Sequence, residues 1–326
     1  MATDAPAPPA LEPEIRALGR SLDAAFPSAA RRPRAAAEDL ITARLARRPE
    51  LRAALFRLVD VAPACRTPAD LGHHLAGLLS DVPPDDRAAL LGRRLGRGRA
   101  TAPLTGRVAS VGIRQMAGRF ILAEQPQEGA AALADLWRRG VAASVDLLGE
   151  ATVTPAEADR YAARCDEALT ILSREAAGWP AQPILEADSA GPLPRVNLSV
   201  KVTALTPMIR EAEPELGVAD AAPRLRHLLR RARDLGAHLH VDIESMASRE
   251  TIMRLVLSLL AEDEFRAGPS AGIVLQAYLT DSDEVAAEVL DWARRTPREH
   301  PLTIRLVKGA YWDHEVVEAR QTGWRP

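Results

Sequence analysis

The chain has 326 residues, of which 47% are hydrophobic and 26% are charged, and its formal net charge is −2. This composition is typical of a globular protein with a sizeable core, and the small net charge predicts no bulk attraction for nucleic acid or for an anionic membrane. The two cysteines, Cys65 and Cys165, form neither a disulfide pattern nor a metal-binding pattern. We therefore expect a protein of a reducing, cytoplasmic compartment.

The first third of the sequence carries no chemical motif. Residues 1–12 are rich in alanine and proline, and we expect them to be disordered. Residues 13–105 place leucine, isoleucine and alanine at helical spacing between arginine-rich faces, as in PEIRALGRSLDAAF and DRAALLGRRLGRG. The pattern predicts an all-helical N-terminal arm or cap that packs on another part of the protein.

From about residue 140 onward, short apolar runs alternate with longer helical patterns. The predicted strands are AASVDLLGE (142–150), RVNLSVKVTAL (195–205), AHLHVDIES (237–245), AGIVLQAYL (271–279) and LTIRLVKGAYW (302–312). The predicted helices lie near 155–174, 222–235, 248–262, 282–296 and 313–321. The first of these helices opens with Thr154 as N-cap and Pro155 at its first position. Five strand–helix units in series predict a parallel sheet with helical crossovers.

The choice between a doubly wound sheet and a barrel depends on two observations. A dinucleotide-binding fold should carry a glycine-rich turn after its first strand, but LLGEATVT has a single glycine. A polar residue instead stands toward the carboxyl end of each apolar run: Asp146, Lys201, Asp242, Gln276, and then Arg305 and Lys308. Such residues converge on one mouth in barrel enzymes. We predict an α/β fold, a (βα)8-type barrel of which about five units lie in residues 106–326.

Lysine is rare in this chain. Of 42 basic residues, only Lys201 and Lys308 are lysines. We therefore expect each of them to have a role that an arginine could not fill. Lys201 lies between Val200 and Val202 in an apolar run, where an unpaired ammonium is costly. It is a structural cation paired with Asp242, a cation for an anionic ligand, or a Schiff-base nucleophile. For Lys308, packing beneath a cofactor and an outer salt bridge both stay open.

The HVDIES segment (240–245) holds two acids, and two histidines lie in the same predicted strand. Asp242 and Glu244 share one strand face; one could pair with a cation and the other cap the next helix, or Asp242 could orient Lys201. His238 and His240 have no third ligand at a sensible spacing, so no metal site is predicted.

Two further features indicate a ring-shaped ligand. Gln276, inside IVLQAYL, suits the edge of a heterocycle, although a satisfied core glutamine is the alternative. In RLVKGAYWD (305–313), a strand cation is followed by Gly309, where a ligand could approach the backbone, and by the flat rings of Tyr311 and Trp312. This stretch predicts a cradle for a planar anionic cofactor.

The motifs VDLLGEA, VNLSVKVTAL, HVDIES, IVLQAYL and RLVKGAYWD, in this order and spacing, resemble the flavin-dependent proline dehydrogenase domain of bifunctional proline utilization A enzymes. The resemblance runs from about residue 105 to the last residue. It implies FAD bound on a distorted (βα)8 barrel, oxidation of L-proline to 1-pyrroline-5-carboxylate on the way to glutamate, and electron transfer to a quinone. Peripheral contact with the inner face of a membrane and a downstream aldehyde dehydrogenase domain are further implications.

The resemblance also assigns roles to residues. Lys201 would meet the substrate carboxylate, with Asp242 as an acid beside it and Tyr311 also near the substrate. Gln276 and Arg305 would hydrogen-bond the flavin, Arg305 close to the edge that accepts hydride. The catalytic set would thus be Lys201, Asp242 and Arg305. The residues that would line the cofactor are Val307, Gly309, Ala310, Tyr311 and Trp312.

One part of the family pattern is absent. The family's last helix carries two adjacent arginines and a glutamate that complete both sites, whereas this sequence ends at QTGWRP. We therefore expect a piece of a longer protein, with three βα units outstanding. Two alternatives stay open: a Schiff-base aldolase or lyase barrel that uses Lys201 and no flavin, and a non-catalytic fragment whose site is incomplete.

Overall fold

The computed structural model describes residues 11–25, 43, 45–118, 120–149, 151–309 and 311–325. They divide into two compact units, Met1–Leu122 and Ala123–Pro326. The longer helices of the first unit are α1 (Leu11–Ala25), α2 (Pro49–Val61), α3 (Pro68–Leu78), α4 (Arg87–Arg97) and α5 (Ala102–Ala117). The prediction of a helical N-terminal region is confirmed.

The predicted domain boundaries stay predictions. Most of the segment expected to be disordered, residues 1–10, lies outside the described residues, and α1 begins at Leu11. The boundary expected between residues 105 and 106 falls inside α5.

The second unit contains the sheet. Its helices are α6 (Pro126–Arg138), α7 (Pro155–Ala177), α8 (Pro183–Glu186), α9 (Val202–Leu205), α10 (Pro214–Asp234), α11 (Met246–Leu260), α12 (Ser282–Arg295) and α13 (Trp312–Thr322). Its strands are β1 (Ser144–Asp146), β2 (Ala187–Asp188), β3 (Gly191–Pro192), β4 (Asn197–Lys201), β5 (His238–Asp242), β6 (Ser270–Gln276) and β7 (Thr303–Val307). None of the described helices is long and apolar enough to cross a membrane.

The main sheet has five strands in the order β1-β4-β5-β6-β7, and every neighbouring pair is parallel. Strands that follow one another in this sheet are also neighbours in space, so the order never reverses as it does in a doubly wound fold. The predicted barrel-type α/β architecture is confirmed. Strands β2 and β3 form a small separate antiparallel pair that the sequence pattern did not predict.

Strands β4 and β5 alternate between an apolar face and a polar face. In β4, Leu198 and Val200 are fully buried in the main core, and in β5 the same holds for Leu239 and Val241. The intervening residues of these strands are polar and lie on the opposite face. A barrel strand buries one face beneath helices and turns the other inward, which explains this pattern.

Helix starts follow local capping chemistry. α7 begins as predicted, because the Thr154 hydroxyl accepts the N–H of Glu157 and the Glu157 carboxylate accepts the N–H of Thr154. α11 begins at Met246, two residues before the predicted start, because Ser245 is its N-cap and accepts the N–H of Ser248.

Candidate active site

Four charged residues predicted at strand ends lie together on one face of the sheet. Asp146 pairs in register with Ser199 of β4, and Lys201 pairs with Asp242 of β5. Arg305, near the end of β7, reaches across the same face to these strands. Parallel strands bring their carboxyl ends to one edge, so residues far apart in sequence converge there.

Lys201 is surrounded by carboxylates. Its Nζ lies 2.9 Å from Asp146 Oδ2, 3.4 Å from Glu244 Oε1 and 3.5 Å from Asp242 Oδ2, and its side chain is 12% exposed. Burial by itself lowers the pKa of this ammonium. The hydrogen bond and charge of Asp146, followed by the charges of Glu244 and Asp242, outweigh burial, so the pKa is raised above its ordinary value. Lys201 is therefore a protonated cation at neutral pH.

Asp242 links Lys201 to Arg305. Its Oδ1 accepts a hydrogen bond of 2.8 Å from Arg305 Nη1, and its Oδ2 accepts one of 2.9 Å from the Ser199 hydroxyl. Arg305 also donates to Ser199 Oγ at 3.3 Å and to Ser144 Oγ at 3.0 Å. The guanidinium is thus fixed by three strands, and a single carboxylate stands between the two cations.

Glu244 is part of this cluster and does not cap a helix. Its Oε2 accepts from the Thr203 hydroxyl at 3.0 Å, and its Oε1 accepts from the Tyr311 hydroxyl at 3.4 Å. Burial, and then the charge of Glu244, raise the pKa of Tyr311. Of the two alternatives for this segment, the one in which an acid caps the next helix is wrong, because Ser245 takes that position.

Gln276 is only half satisfied. Its Nε2 donates to the Ile243 carbonyl at 2.8 Å, whereas its buried Oε1 has no hydrogen-bond partner among the described residues. An orphaned buried acceptor is costly unless a ligand or water completes it. Val307, which pairs in register with Gln276, is half-buried against the core.

The segment after β7 holds the remaining predicted residues. Gly309 has φ of +130°, and a Cβ there would lie 1.5 Å from the Tyr278 ring, so this ring lies against bare backbone. Lys308 is exposed, and its carbonyl accepts the N–H of Tyr278 at 2.9 Å. Trp312 is the first residue of α13, and it is 58% exposed. Ala310 lies outside the described residues.

The two histidines lie deeper on the same strand face. His238 Nδ1 is 2.8 Å from Ser270 Oγ, and His238 Nε2 is 3.3 Å from His240 Nδ1. Burial first, and then nearby positive charge including that of Arg305, lower the pKa of each imidazole to about 4. Across the described part of the chain, no group of three or more histidine, cysteine, aspartate or glutamate residues is arranged to hold a metal ion.

Sequence reasoning missed the hydroxyl groups of the site. Ser144 and Ser199 each stand two residues before a predicted charged residue, Asp146 and Lys201, so the strand period of two already placed them on the same face. Tyr161 was missed for another reason. It lies on α7 and accepts the backbone N–H of Lys201, and no strand pattern points to a helix residue.

The arrangement suits a small zwitterion beside a polar ring. A compact cation and a fixed guanidinium can meet anionic groups, while three carboxylates nearby can meet a cationic one. Partial burial strengthens each of these interactions relative to water.

Family models match nearly the whole chain. Residues 130–326 match Proline dehydrogenase, and residues 12–120 match the Proline utilization A N-terminal domain. Among solved structures, proline utilization A (PutA) from Bdellovibrio bacteriovorus inactivated by N-propargylglycine superposes with a TM-score of 0.76 at 30% identity. That match covers 88% of this chain and 27% of the other.

Individual relatives agree with the family models. The bifunctional protein PutA of Escherichia coli (strain K12) is 32% identical over 237 residues, which are 72% of this chain and 17% of that protein. The proline dehydrogenase of Deinococcus radiodurans is 27% identical over 218 residues, which are 67% of this chain and 60% of that protein. The chain thus spans a minor part of its bifunctional relatives.

Proposed function

The chain belongs to the proline dehydrogenase family, and on that premise we propose that it carries part of an FAD-dependent site that oxidises L-proline to 1-pyrroline-5-carboxylate. The observation that carries the proposal is the bridge through Asp242, which binds Arg305 at 2.8 Å and lies 3.5 Å from Lys201. The bridge holds Lys201 and Arg305 at a fixed separation, and we assign Lys201 to the substrate and Arg305 to the cofactor. Hydride transfer needs that kind of positioning more than it needs a reactive side chain.

Lys201 would bind the proline carboxylate. Its ammonium is a compact point charge with three donors, whereas a guanidinium is larger and has a fixed shape. Its two longer contacts, to Asp242 and Glu244, are the ones that a substrate carboxylate could replace while the 2.9 Å contact to Asp146 keeps the ammonium in place. Tyr311, hydrogen-bonded to Glu244, would close the same side of the substrate.

The residues present fit a flavin. Gln276 Oε1 is a buried acceptor without a partner among the described residues, and a ring N–H of the flavin would satisfy it. The Arg305 guanidinium would lie at the ring edge, where negative charge develops. The other residues that would line the cofactor are Val307, Gly309, Ala310, Tyr311 and Trp312. The bound flavin would supply the hydride acceptor, which no amino-acid side chain provides.

The chemistry requires that proline lose a hydride from the carbon beside its nitrogen and a proton from the nitrogen, which turns the C–N bond into C=N. The three proposed catalytic residues, Lys201, Asp242 and Arg305, would orient the ring for this loss and balance charge. We further propose that the electrons pass to a quinone, with peripheral contact at the inner membrane face of a cytoplasmic protein. A fused aldehyde dehydrogenase domain, which the resemblance to bifunctional proline utilization A enzymes implies, would take the product on to glutamate.

The Schiff-base alternative is disfavoured by the charge of Lys201. A nucleophilic lysine needs a lowered pKa so that the neutral amine is present. The three carboxylates around Lys201 raise its pKa instead.

The test is the visible spectrum of the native, flavin-loaded protein before and after anaerobic L-proline. We expect bleaching with L-proline, and we expect Lys201→Met to raise the KM for proline by roughly a hundredfold, since a charged hydrogen bond contributes about 1.5–3 kcal/mol. Arg174→Met, which removes an exposed cation on α7, should change nothing. A borohydride-trapped adduct on Lys201 in flavin-free protein would instead favour the Schiff-base alternative.

A further inference from the structure

Tyr161 supplies a hydrogen bond that the sheet does not provide. The pairing of β1 with β4 ends at Asp146 and Ser199, two residues before Lys201. Because alternate residues of a strand point their N–H groups to opposite neighbours, the N–H of Lys201 faces the side on which β1 has already ended. The Tyr161 hydroxyl, brought there by α7, accepts this N–H at 3.2 Å. A buried N–H without an acceptor would be destabilising.

Tyr161 is itself held rigidly. It is 5% exposed and belongs to the main core. A Cβ on Gly149 would lie 2.6 Å from the Tyr161 ring, so the chain after β1 passes closely over it and leaves space only for glycine. Burial, the largest influence, raises the pKa of Tyr161, so the hydroxyl is neutral and available as an acceptor.

Lys201 lies at the junction of a strand and a helix. It is the last residue of β4 and the N-cap residue of α9, so the strand ladder ends and a helix begins at this residue. A lysine side chain has four rotatable bonds, and its ammonium is placed only if the backbone that carries it is placed. The 2.9 Å contact with Asp146 lies on the same side as Tyr161, toward β1.

We propose that Tyr161 is a positioning residue, which fixes the backbone of Lys201 so that the ammonium meets the substrate carboxylate. The proposal rests on the proposed function for the identity of the ligand. It differs from a purely structural role in one respect. The loss of the Tyr161 hydroxyl should weaken carboxylate recognition specifically, beyond any general loss of stability.

The first experiment uses Tyr161→Phe in the native, flavin-loaded protein. We expect the KM for L-proline to rise about tenfold, while kcat stays within about twofold, because one hydrogen bond that orients the binding cation is lost. Calorimetric binding of cyclopentanecarboxylate should weaken by the same factor, whereas binding of the neutral cyclopentanecarboxamide should not change. Trp137→Phe is the matched control, because it removes one buried side-chain hydrogen bond to a backbone carbonyl, that of Pro180 at 2.8 Å.

A second variant keeps the proposal testable if Tyr161→Phe folds poorly. Gly149→Ala keeps the Tyr161 hydroxyl but displaces the Tyr161 ring, which the new Cβ would meet at 2.6 Å, so we expect the same selective loss of carboxylate binding. Equal weakening of both ligands in Tyr161→Phe, matched by Trp137→Phe, would overturn the proposal and leave Tyr161 a structural residue. Unchanged carboxylate binding in Tyr161→Phe would overturn it as well.

A readout on Lys201 itself separates this proposal from the proposed function. Peptide-resolved acylation of Lys201, normalised to the exposed Lys308, reports the placement of the ammonium without any substrate. We expect Tyr161→Phe to raise the relative labelling of Lys201 severalfold, as its ammonium leaves the carboxylates. If the unaltered protein fails to oxidise proline yet this change occurs, the proposed function fails and the positioning role stands. If labelling is unchanged, the positioning role fails.

Discussion

Lys201 Nζ and Asp146 Oδ2 lie 2.9 Å apart, although the two residues are separated by 55 positions in the sequence. The contact joins the carboxyl ends of β4 and β1 and is the shortest of the three that Lys201 makes with carboxylates. The contact raises the pKa of Lys201, whereas burial lowers it, and the net effect of all contributions is a raised pKa. The pair therefore offers a direct test of the electrostatics of the cluster.

Asp146→Asn should lower the pKa of Lys201 toward its ordinary value, because the hydrogen bond and charge that raise the pKa most are weakened or removed. The fraction of neutral amine at pH 9 would then rise, by about tenfold for each unit of pKa. Acylation of Lys201 at that pH, followed by mass spectrometry and normalised to Lys308, measures the change. Asp188→Asn, in the exposed β2–β3 hairpin, is the control. An unchanged labelling rate in Asp146→Asn would contradict a direct contact between Asp146 and Lys201.

Gln276→Leu should weaken flavin binding about tenfold, because it removes a buried acceptor that the protein itself leaves unpaired. It also removes the hydrogen bond to the Ile243 carbonyl, so we expect a loss of about 1–3 kcal/mol in the free energy of unfolding without flavin. Fluorescence titration of the flavin gives the dissociation constant, and thermal unfolding without flavin gives the stability. Thr251→Val is the matched control, since Thr251 Oγ1 is another buried oxygen without a partner among the described residues. Equal flavin affinity in the two variants would refute a contact between Gln276 and the cofactor.

Gly309→Ala should cost more free energy of unfolding than Gly323→Ala. Both glycines have positive φ, +130° and +78°, so both substitutions strain the backbone. Only at Gly309 would the new Cβ meet a neighbour, the Tyr278 ring at 1.5 Å, whereas Gly323 has nothing within 4 Å. We expect an additional loss of about 1–3 kcal/mol at Gly309, from overpacking. Chemical denaturation of both variants measures it, and equal losses would argue against the ring contact.

The histidine pair should make stability fall between pH 7 and pH 5. His238 and His240 are buried with pKa values lowered to about 4, so the unfolded chain takes up protons near pH 6.5 that the native chain does not. The contribution of the two histidines to the free energy of unfolding is therefore fully present above the pKa of the unfolded state, and it is lost as the pH falls toward 4. Each histidine should contribute roughly 2 kcal/mol of this loss by pH 5.

Denaturant titrations at several pH values test this prediction. His240→Gln should flatten the dependence between pH 7 and pH 5, because one of the two groups that take up protons on unfolding is gone. His314→Gln is the control, since this histidine is exposed on α13. If the free energy of unfolding of His240→Gln changes with pH as much as that of the unaltered protein, the histidine pair does not cause the loss of stability at acidic pH.

The helical arm, the parallel sheet and the common edge for Asp146, Lys201, Asp242 and Arg305 could be predicted from the sequence. These features follow from periodicity and from the rule that parallel strands end on one side, and both are local properties of the chain. The motif resemblance identified the family for the same reason, because strand-end residues and their spacing are written in order along the chain.

Only the tertiary structure decided which partners these residues take. Sequence reasoning considered Asp242 as a partner of Lys201, and the two lie 3.5 Å apart, but the shortest contact of Lys201 is with Asp146. Tyr161 of a helix accepts its backbone N–H. Glu244 joined the cluster, and Ser245 became the helix cap. Such choices depend on strand register and stagger, and on helix positions set by packing across tens of residues. A pattern of neighbours in sequence fixes which face a side chain occupies, whereas distances of about 3 Å between strands are fixed only when the whole sheet has formed.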